Sequence, residues 1–248
     1  MLAPRKIRFA GPLGIVGFGA FGQLIAEHLR SHFRILSYDI ECDLDKCRKY
    51  DVEPVSCEEV ARCPIVVLAV PAGQIREATK ELAPFLRPGT LVLDVVSIKI
   101  EPARIMKELL PKSVDVVATH PLFGPQSARN GINGMKIVVC PVRGRCSHIA
   151  AFFKKIGLEV IITTPEDHDR QAAETQGLLH AIAHLLNNMN TPATRITTRS
   201  YELMMSSIEM IRYDSTEVSE TILEANPFAA EVLRRLLAAA TELNKKHS

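Results

Sequence analysis

Two residues whose side chains can move a proton, Ser97 and His120, each end a short apolar run of the sequence, DVVS and DVVATH. A histidine with an ordinary pKa accepts a proton at neutral pH, and a hydroxyl beside it can orient the ring or bind the same substrate group. The segment HPLFGPQSARNG, which begins at His120, is typical of a rigid loop where a substrate would lie. We therefore predict His120 as a general base assisted by Ser97. The alternative is a structural histidine bonded to a backbone carbonyl.

The stretch IVGFGAFG has the G-x-G-x-x-G spacing of a dinucleotide-binding loop, with an apolar run before it and a helix-length segment after it. In such a loop Gly17 permits the tight turn, Gly19 leaves room for a pyrophosphate, and Gly22 lets helix and strand pack closely. The predicted cofactor-binding residues are Gly17, Phe18, Gly19, Ala20, Phe21 and Gly22. The alternative is a plain strand–helix turn whose glycines serve packing.

Asp39 ends the next apolar run, about 20 residues after the glycines, where a dinucleotide-binding fold carries its acidic residue. A carboxylate there accepts hydrogen bonds from a ribose diol and repels a 2′-phosphate, so the sequence favours NAD as the cofactor. Lys46 and Arg48 follow closely enough to approach a 2′-phosphate, which leaves NADP open. Pro71, directly after another apolar run, is expected to shape the cofactor cleft.

The elements that must position these residues alternate along residues 1–165. The predicted strands are Leu13–Val16, 34–39, 65–70, 91–97, 115–120 and 136–141, with an edge strand at 158–164. The predicted helices include 20–31, 73–83, 101–110 and 147–156. The strands are rich in Val, Ile and Leu with little alternation, as expected of parallel strands buried on both faces. We predict an α/β fold, with a Rossmann-type, doubly wound parallel sheet forming the dinucleotide-binding domain.

The remaining residues, 166–248, have a helical pattern throughout. The predicted helices are 166–189, 193–213, 215–223 and 226–246, with a turn at Thr191–Pro192 and an Asn226 cap before the last. Apolar positions are too numerous for isolated surface helices, so we predict an all-helical substrate and dimerisation domain and a homodimer.

Composition and charge exclude several classes of function. The formal net charge of the 248 residues is +2 and Lys and Arg form no stripe, which argues against nucleic acid as a partner. None of the six cysteines forms C-x-x-C, which favours reduced thiols over a metal site. No apolar run is long enough for a signal peptide or a membrane span. We therefore expect a cytoplasmic protein that contacts no membrane.

Four motifs in order, GFGAFG, DVVSIK, THPLFGPQSARNG and EDHDRQAAETQGLLHAIAHL, resemble the prephenate/arogenate dehydrogenase family of tyrosine biosynthesis, in its short monofunctional form. The resemblance implies oxidative decarboxylation of a small cyclohexadienol, with hydride transfer to NAD(P). It also implies that His120 is the proton acceptor and that Ser97 assists it.

The resemblance further implies three substrate-binding residues, Ser127 in the loop and Gln176 and His180 on the first long helix. The alternative for Ser127 is an ordinary polar loop residue. The alternative for His180 is packing on a dimer-facing helix. His184 lies four residues after His180 and raises the possibility of zinc, but the zincin glutamate and a third ligand are missing. We therefore predict no metal.

Asp214 resembles the acidic position of arogenate-preferring members, because a carboxylate would pair with the substrate ammonium. The alternative is a helix cap, since Glu217 follows at capping-box spacing. Ile211 lies where those members carry a small polar residue, so specificity for arogenate, prephenate or both stays open. The candidates for an arginine that binds a substrate carboxylate are Arg195, Arg199 and Arg212.

Two other functions fit the same elements. One is another small NAD(P)-dependent dehydrogenase, such as a 3-hydroxy acid dehydrogenase or an imine reductase. The absence of lysine from residues 166–189 counts against the hydroxy acid type. The other is a nucleotide-binding protein without catalytic activity, which the presence of Ser97 and His120 disfavours.

Overall fold

The computed structural model describes residues 11–144, 146–189, 194–212 and 216–247, apart from the side chains of Arg212 and His247. The chain forms two compact units, Met1–Pro165 and Glu166–Ser248. No helix in the described ranges is long and apolar enough to cross a membrane.

The first unit contains an eight-stranded sheet in the order β3-β2-β1-β4-β5-β6-β7-β8. Its strands are β1 (Leu13–Val16), β2 (Ile35–Tyr38), β3 (Val52–Pro54), β4 (Ile65–Leu68), β5 (Leu91–Asp94), β6 (Asp115–Pro121), β7 (Lys136–Arg143) and β8 (Glu159–Ile162). The strands from β1 to β6 pair in parallel. The order reverses direction at β1 and β4, and this is the position where doubly wound sheets bind their ligands.

The last two strands depart from the parallel sheet that the sequence predicted. Strand β7 pairs antiparallel with β6, and β8 pairs parallel with β7. The connection over 122–135 forms turns and no helix that would carry the chain back across the sheet. Because a parallel pair needs such a crossover, the chain returns antiparallel instead. The edge position of β8 agrees with the sequence prediction.

Helices cover both faces of this sheet. They are α1 (Ala20–Leu29), α2 (Leu44–Tyr50), α3 (Cys57–Ala61), α4 (Ile75–Leu82), α5 (Ile100–Leu109) and α6 (Ser147–Lys155). One face packs its apolar side chains against α3, α4 and α5, and the other against α1, α2 and α6. The short elements α2, β3 and α3 were not predicted. Asp43 caps α2, and a capping box of Ser56 and Glu59 begins α3.

The described residues of the second unit form helices and the segments that connect them, with no strand. Its helices are α7 (Pro165–Ala172), α8 (Leu178–Asn188), α9 (Arg199–Arg212), α10 (Thr216–Glu220) and α11 (Ala229–His247), with π-helical turns at Ala173–Gly177 and Thr221–Ala225. The predicted single helix over 166–189 is therefore continuous but contains a π turn, which shifts the face of the residues that follow it. Asn226 accepts a hydrogen bond from Phe228 N at 3.0 Å before α11. The predicted turn at Thr191–Pro192 lies outside the described residues.

Candidate active site

The glycine loop between β1 and α1 has the shape that a dinucleotide pyrophosphate needs. Gly17 has φ of +93°, and a Cβ there would lie 2.7 Å from the Ala69 carbonyl oxygen. A Cβ on Gly22 would lie 2.3 Å from the Gly17 carbonyl oxygen, whereas no atom lies within 4 Å of a Cβ on Gly19. The space above Gly19 is therefore open. No side chain caps the first turn of α1, so its backbone N–H groups can bind an anion.

The flanking residues of this loop differ in what they contribute. Phe18 is buried and packs edge-on against the Tyr50 ring, whereas Ala20 is exposed and Phe21 is half-buried. Pro71 follows β4 and accepts a hydrogen bond from Gln74 N at 2.9 Å. It begins the turn opposite the glycine loop, where the chain after β4 approaches Gly17.

Asp39 lies directly after β2 and holds the glycine loop in place. Its Oδ2 accepts a hydrogen bond from Phe18 N, and its Oδ1 accepts one from Glu41 N at 2.8 Å. A carboxylate has about four lone-pair positions, so acceptor capacity remains for a ribose diol. The sequence predicted the carboxylate but not its bond to the loop.

The two cations that could bind a 2′-phosphate are paired with carboxylates of their own helix region. Lys46 Nζ lies 3.1 Å from Asp43 Oδ2, and Arg48 donates to Asp45 Oδ1 at 2.9 Å. Both pairs are exposed, so each is weak and salt-dependent.

A buried ion pair joins the ends of β5 and β6. Asp94 and Lys99 are both fully buried, and Lys99 Nζ donates to Asp94 Oδ2 and, at 2.6 Å, to the Thr119 carbonyl oxygen. Asp94 Oδ1 accepts from Thr119 N at 3.2 Å, and the Thr119 hydroxyl donates to the Asp94 carbonyl oxygen. Asp94 Oδ2 also accepts from Val96 N at 3.0 Å. These bonds fix the backbone just after β5, at Val96, and near the end of β6, at Thr119.

Burial raises the pKa of the Asp94 carboxyl, and the Lys99 ammonium and the N–H groups of Val96 and Thr119 oppose that shift. An ammonium and a carboxylate both withdrawn from water are costly unless such bonds compensate them. Neither residue was predicted from the sequence. The spacing D-x-x-S-x-K in DVVSIK was the available signal, because a lysine five residues after a strand-ending aspartate can return to it.

Ser97 and His120 lie at the same end of neighbouring parallel strands. Asp94, the last residue of β5, pairs with Ala118, two residues before His120. Ser97 follows β5 by three residues and is half-buried, whereas the His120 side chain is 3% exposed. His120 comes directly after Thr119, the residue that the ion pair holds, so its backbone position is fixed by Asp94 and Lys99. The arrangement can present an imidazole and a hydroxyl beyond the carboxyl edge of the sheet.

Ser127 closes the loop that follows His120. Its hydroxyl oxygen lies 3.0 Å from Gly124 N and 3.2 Å from the Gly124 carbonyl oxygen, and it bonds to both. The residue is exposed. The structure therefore gives this hydroxyl a role in the loop itself, and its substrate role stays a prediction.

The polar residues of the second unit lie on the stretch that contains the first π turn. The side-chain Oε1 of Gln176 is buried without a hydrogen-bond partner among the described residues. His180 is 2% exposed, and burial, with a smaller contribution from His184, lowers its pKa to about 4. Its ring is therefore neutral at physiological pH. The Oε1 atom of Gln176 can accept a hydrogen bond from a ligand.

The other predicted residues of this unit are placed as follows. Arg195 is exposed, and Arg199 lies 3.4 Å from a Glu202 oxygen. Asp214 and the side chain of Arg212 lie outside the described residues. In the part of the chain that the structure describes, no three His, Cys, Asp or Glu residues are grouped as a metal ion would need.

Comparison with known proteins gives one matching family model. It is described as the nucleotide-binding domain of prephenate dehydrogenase, and it matches residues 25–162, more than half of the chain. Arogenate dehydrogenase 1, chloroplastic, of Arabidopsis thaliana is 30% identical over 244 residues, which cover 93% of this chain and 38% of that protein. Arogenate dehydrogenase 2, chloroplastic, of the same plant is 30% identical over 250 residues, which cover 94% of this chain and 69% of that protein. The chain thus spans only part of these relatives.

A solved structure shares the fold. The crystal structure of prephenate dehydrogenase from A. aeolicus in complex with hydroxyphenyl propionate and NAD+ matches with a TM-score of 0.74 at 22% identity. The match covers 96% of this chain and 92% of that one. It confirms the fold class predicted from the sequence, a Rossmann-type sheet followed by a helical region.

Removing the cation of the buried Asp94–Lys99 pair should destabilise the protein. Lys99→Met leaves the Asp94 carboxylate buried without its charged partner, so we expect the free energy of unfolding to fall by about 3–5 kcal/mol. Urea denaturation followed by circular dichroism measures the change. Lys112→Met, at an exposed lysine beyond α5, is the matched control and should stay within about 0.5 kcal/mol of the parent protein. Equal, small changes in the two variants would contradict a structural role for the pair.

Proposed function

The chain belongs to the prephenate dehydrogenase family, as its sequence motifs indicated, and we propose that it catalyses oxidative decarboxylation of arogenate in tyrosine biosynthesis, with prephenate as a second candidate substrate. The observation that carries the proposal is His120, placed at the end of β6 by the buried Asp94–Lys99 pair. It lies on the carboxyl edge of the sheet that also bears a pyrophosphate-shaped glycine loop.

The proposed reaction needs few groups from the protein. The substrate ring carries a hydroxyl at C4 and a carboxylate opposite to it. The hydroxyl loses its proton, the C4 hydrogen leaves as hydride, and the ring carboxylate departs as carbon dioxide with its bonding electrons left in the ring. The ring becomes an aromatic phenolate, which takes a proton back to give the phenol, and its aromaticity supplies much of the driving force. A bound nicotinamide supplies the hydride acceptor.

His120 takes the hydroxyl proton in this proposal. A positioned imidazole contributes about 10²–10⁴-fold to such a step. The ring must be neutral to accept the proton, and its low exposure limits access of bulk water to it. Ser97 orients the ring or bonds to the same substrate oxygen. The Asp94–Lys99 pair holds the backbone beside both residues, so their side chains need little rearrangement during the reaction.

We propose NAD as the preferred cofactor. In this proposal the Asp39 carboxylate accepts hydrogen bonds from the adenosine ribose and would repel a 2′-phosphate. Lys46 and Arg48, the cations that could offset this repulsion, are paired with Asp43 and Asp45. Gly19 leaves room for the pyrophosphate, and the first turn of α1 offers its N–H groups to it.

Gln176, His180, Ser127 and Asp214 are the proposed substrate-binding residues. The buried oxygen of Gln176 lacks a partner among the described residues, which suits a donor group on a ligand. A carboxylate at Asp214 would pair with the arogenate ammonium and disfavour the keto group of prephenate.

We also propose a homodimer formed by the helical unit. Large apolar side chains on its helices are exposed, among them Leu185 at 52%, Met210 at 54% and Leu237 at 68%. Such surfaces are typical of subunit interfaces.

Light scattering should give twice the mass of one chain, and a monomeric mass at micromolar concentration would contradict the proposal.

A coupled assay tests the proposed function. The purified protein is mixed with arogenate or prephenate, each with NAD or NADP, and reduced nicotinamide, carbon dioxide and the phenolic product are measured. We expect equimolar formation of all three with arogenate and NAD. No turnover with either substrate and either cofactor would overturn the proposal.

The role of His120 predicts a specific defect. His120→Asn should lower kcat by about a hundredfold or more, because the hydroxyl proton loses its acceptor, while NAD affinity is unchanged. Steady-state kinetics and calorimetric titration with NAD measure the two effects. His148→Asn, at an exposed histidine of α6, is the control and should behave as the parent protein. A loss of less than about fivefold would show that another group is the base.

The role of Asp39 predicts a change in cofactor choice. Asp39→Asn removes the charge that faces a 2′-phosphate, and two unit charges about 4 Å apart repel by about 1 kcal/mol even in water. The ratio of kcat/KM for NAD to that for NADP should therefore fall at least about fivefold. Asp51→Asn, at the exposed end of α2, removes a charge elsewhere and should leave the ratio unchanged. An unaltered ratio in Asp39→Asn would exclude the ribose contact.

A further inference from the structure

The register of β6 against β7 brings a lysine next to the proposed base. The two strands pair antiparallel, with His120 opposite Val138. The pairing continues beyond the end of β6, because Leu122 N donates a hydrogen bond to the Lys136 carbonyl oxygen at 2.9 Å. Lys136, the first residue of β7, is therefore opposite Leu122 and two residues before the partner of His120.

The alternation of side chains along the strands places Lys136 and His120 on one face of the sheet. Ala118 and Val138 pack in the apolar cluster against α3, α4 and α5, whereas Val117 packs in the cluster on the other face. Because successive side chains of a strand point to opposite faces, His120 and Lys136 lie on the face of Ala118 and Val138. Diagonal neighbours of this kind are about 7–8 Å apart, which is within reach of a long side chain.

The ammonium group of Lys136 is not used by the protein itself. The residue is exposed, and among the described residues its side chain forms no ion pair and no hydrogen bond. Glu159, its register partner on β8, lies on the side of β7 away from β6. The alternative role for Lys136 is a solvated surface charge whose nearest carboxylate in the sheet is Glu159.

The stretch of sequence that contains the proposed base is free of acidic residues. No Asp or Glu occurs over residues 116–158, although the chain has 28 of them among 248 residues. We call this range the acid-free stretch. Its cations are Arg129, Lys136, Arg143, Arg145, Lys154 and Lys155. A segment that carries charges of one sign attracts ligands of the other sign, and the proposed substrates each carry two carboxylates.

We propose that the Lys136 ammonium binds the side-chain carboxylate of the substrate while His120 binds the ring hydroxyl. The inference rests on the proposed function, which supplies the substrate and the role of His120. Both carboxylates lie across the ring from the hydroxyl, but only the side-chain carboxylate keeps its charge throughout the reaction. A cation on the ring carboxylate would stabilise the state before carbon dioxide leaves, and this would slow the reaction.

The sequence analysis sought this cation among the arginines of the second unit. Arg199 lies 3.4 Å from a Glu202 oxygen, and Arg195 is exposed on a segment without strand or helix. Lys136 was not predicted, because strand register places it beside His120 and no local motif contains both residues.

Calorimetric titration tests the contact without turnover. The protein with saturating NAD is titrated with L-tyrosine, the phenol formed from arogenate, and with tyramine, which is tyrosine without its carboxylate. In Lys136→Met the Kd of tyrosine should rise about tenfold, because a charged hydrogen bond is lost. The Kd of tyramine should stay within about twofold or fall, because tyramine has no carboxylate for the ammonium to bind. Lys136→Arg keeps the charge and should bind tyrosine within about threefold of the parent protein.

Two further variants separate a local contact from other effects of charge. Lys154→Met removes a positive charge from an exposed position of α6 in the same acid-free stretch, and it should leave both Kd values unchanged. Glu159→Gln removes the neighbouring carboxylate and should also leave them unchanged. If Lys136 acted only through Glu159, this variant would reproduce the effect of Lys136→Met. Thermal melts followed by circular dichroism confirm that each variant is folded.

Kinetics tests the consequence for the reaction. Because the side-chain carboxylate has the same charge before and after the chemical steps, Lys136→Met should raise KM for the oxidised substrate about tenfold and leave kcat within about twofold. The KM for NAD should not change.

Three results would overturn the inference. They are a tyrosine Kd that stays at the parent value in Lys136→Met, an equal rise for tyrosine and tyramine, and an unchanged KM in a parent protein that is active. Each of these leaves the proposed function standing. If the parent protein oxidises neither substrate, the proposed function fails, and the comparison of tyrosine with tyramine still decides the contact. A parent protein that also binds no tyrosine would overturn both.

Discussion

The buried pair of Asp94 and Lys99 is the interaction on which the proposed catalytic edge depends. Each charge is fully buried, and each is compensated by the other and by backbone groups of Val96 and Thr119. Neither residue can move without leaving a charge unpaired in the protein interior. The bonds join the end of β5 to the residue before His120, so an electrostatic constraint fixes the position of the proposed base.

The cofactor end of the sheet is organised in the same way. Asp39 stands at the end of β2 and bonds to the N–H of Phe18, inside the glycine loop that follows β1. In both places a carboxylate at one strand end holds the backbone that follows a neighbouring strand. The sheet therefore supplies the scaffold, and two aspartates fix the loops at its carboxyl edge, where doubly wound folds bind their ligands.

The sequence predicted the parts of the fold that follow from local pattern. Unalternated apolar runs identified seven of the strands, and glycine spacing with Asp39 identified the loop. The reversed direction of β7 was missed, although the loop predicted from His120 onward leaves no crossover helix of the kind that a parallel pair needs. The short elements α2, β3 and α3 carry too few residues for a periodic signal. The contacts of Lys99 depend on tertiary packing, and the structure was needed to show them. Roles for Ser127, Gln176 and Asp214 came from resemblance and remain predictions.

The most direct test of this account is a crystal structure with NAD and a 4-hydroxyphenyl product analogue bound. The account predicts that the phenolic oxygen lies about 3 Å from a ring nitrogen of His120, with the Ser97 hydroxyl beside it and the nicotinamide over the adjoining carbon. A phenolic oxygen bound by a different base, or a His120 ring closed off from the dinucleotide, would contradict it.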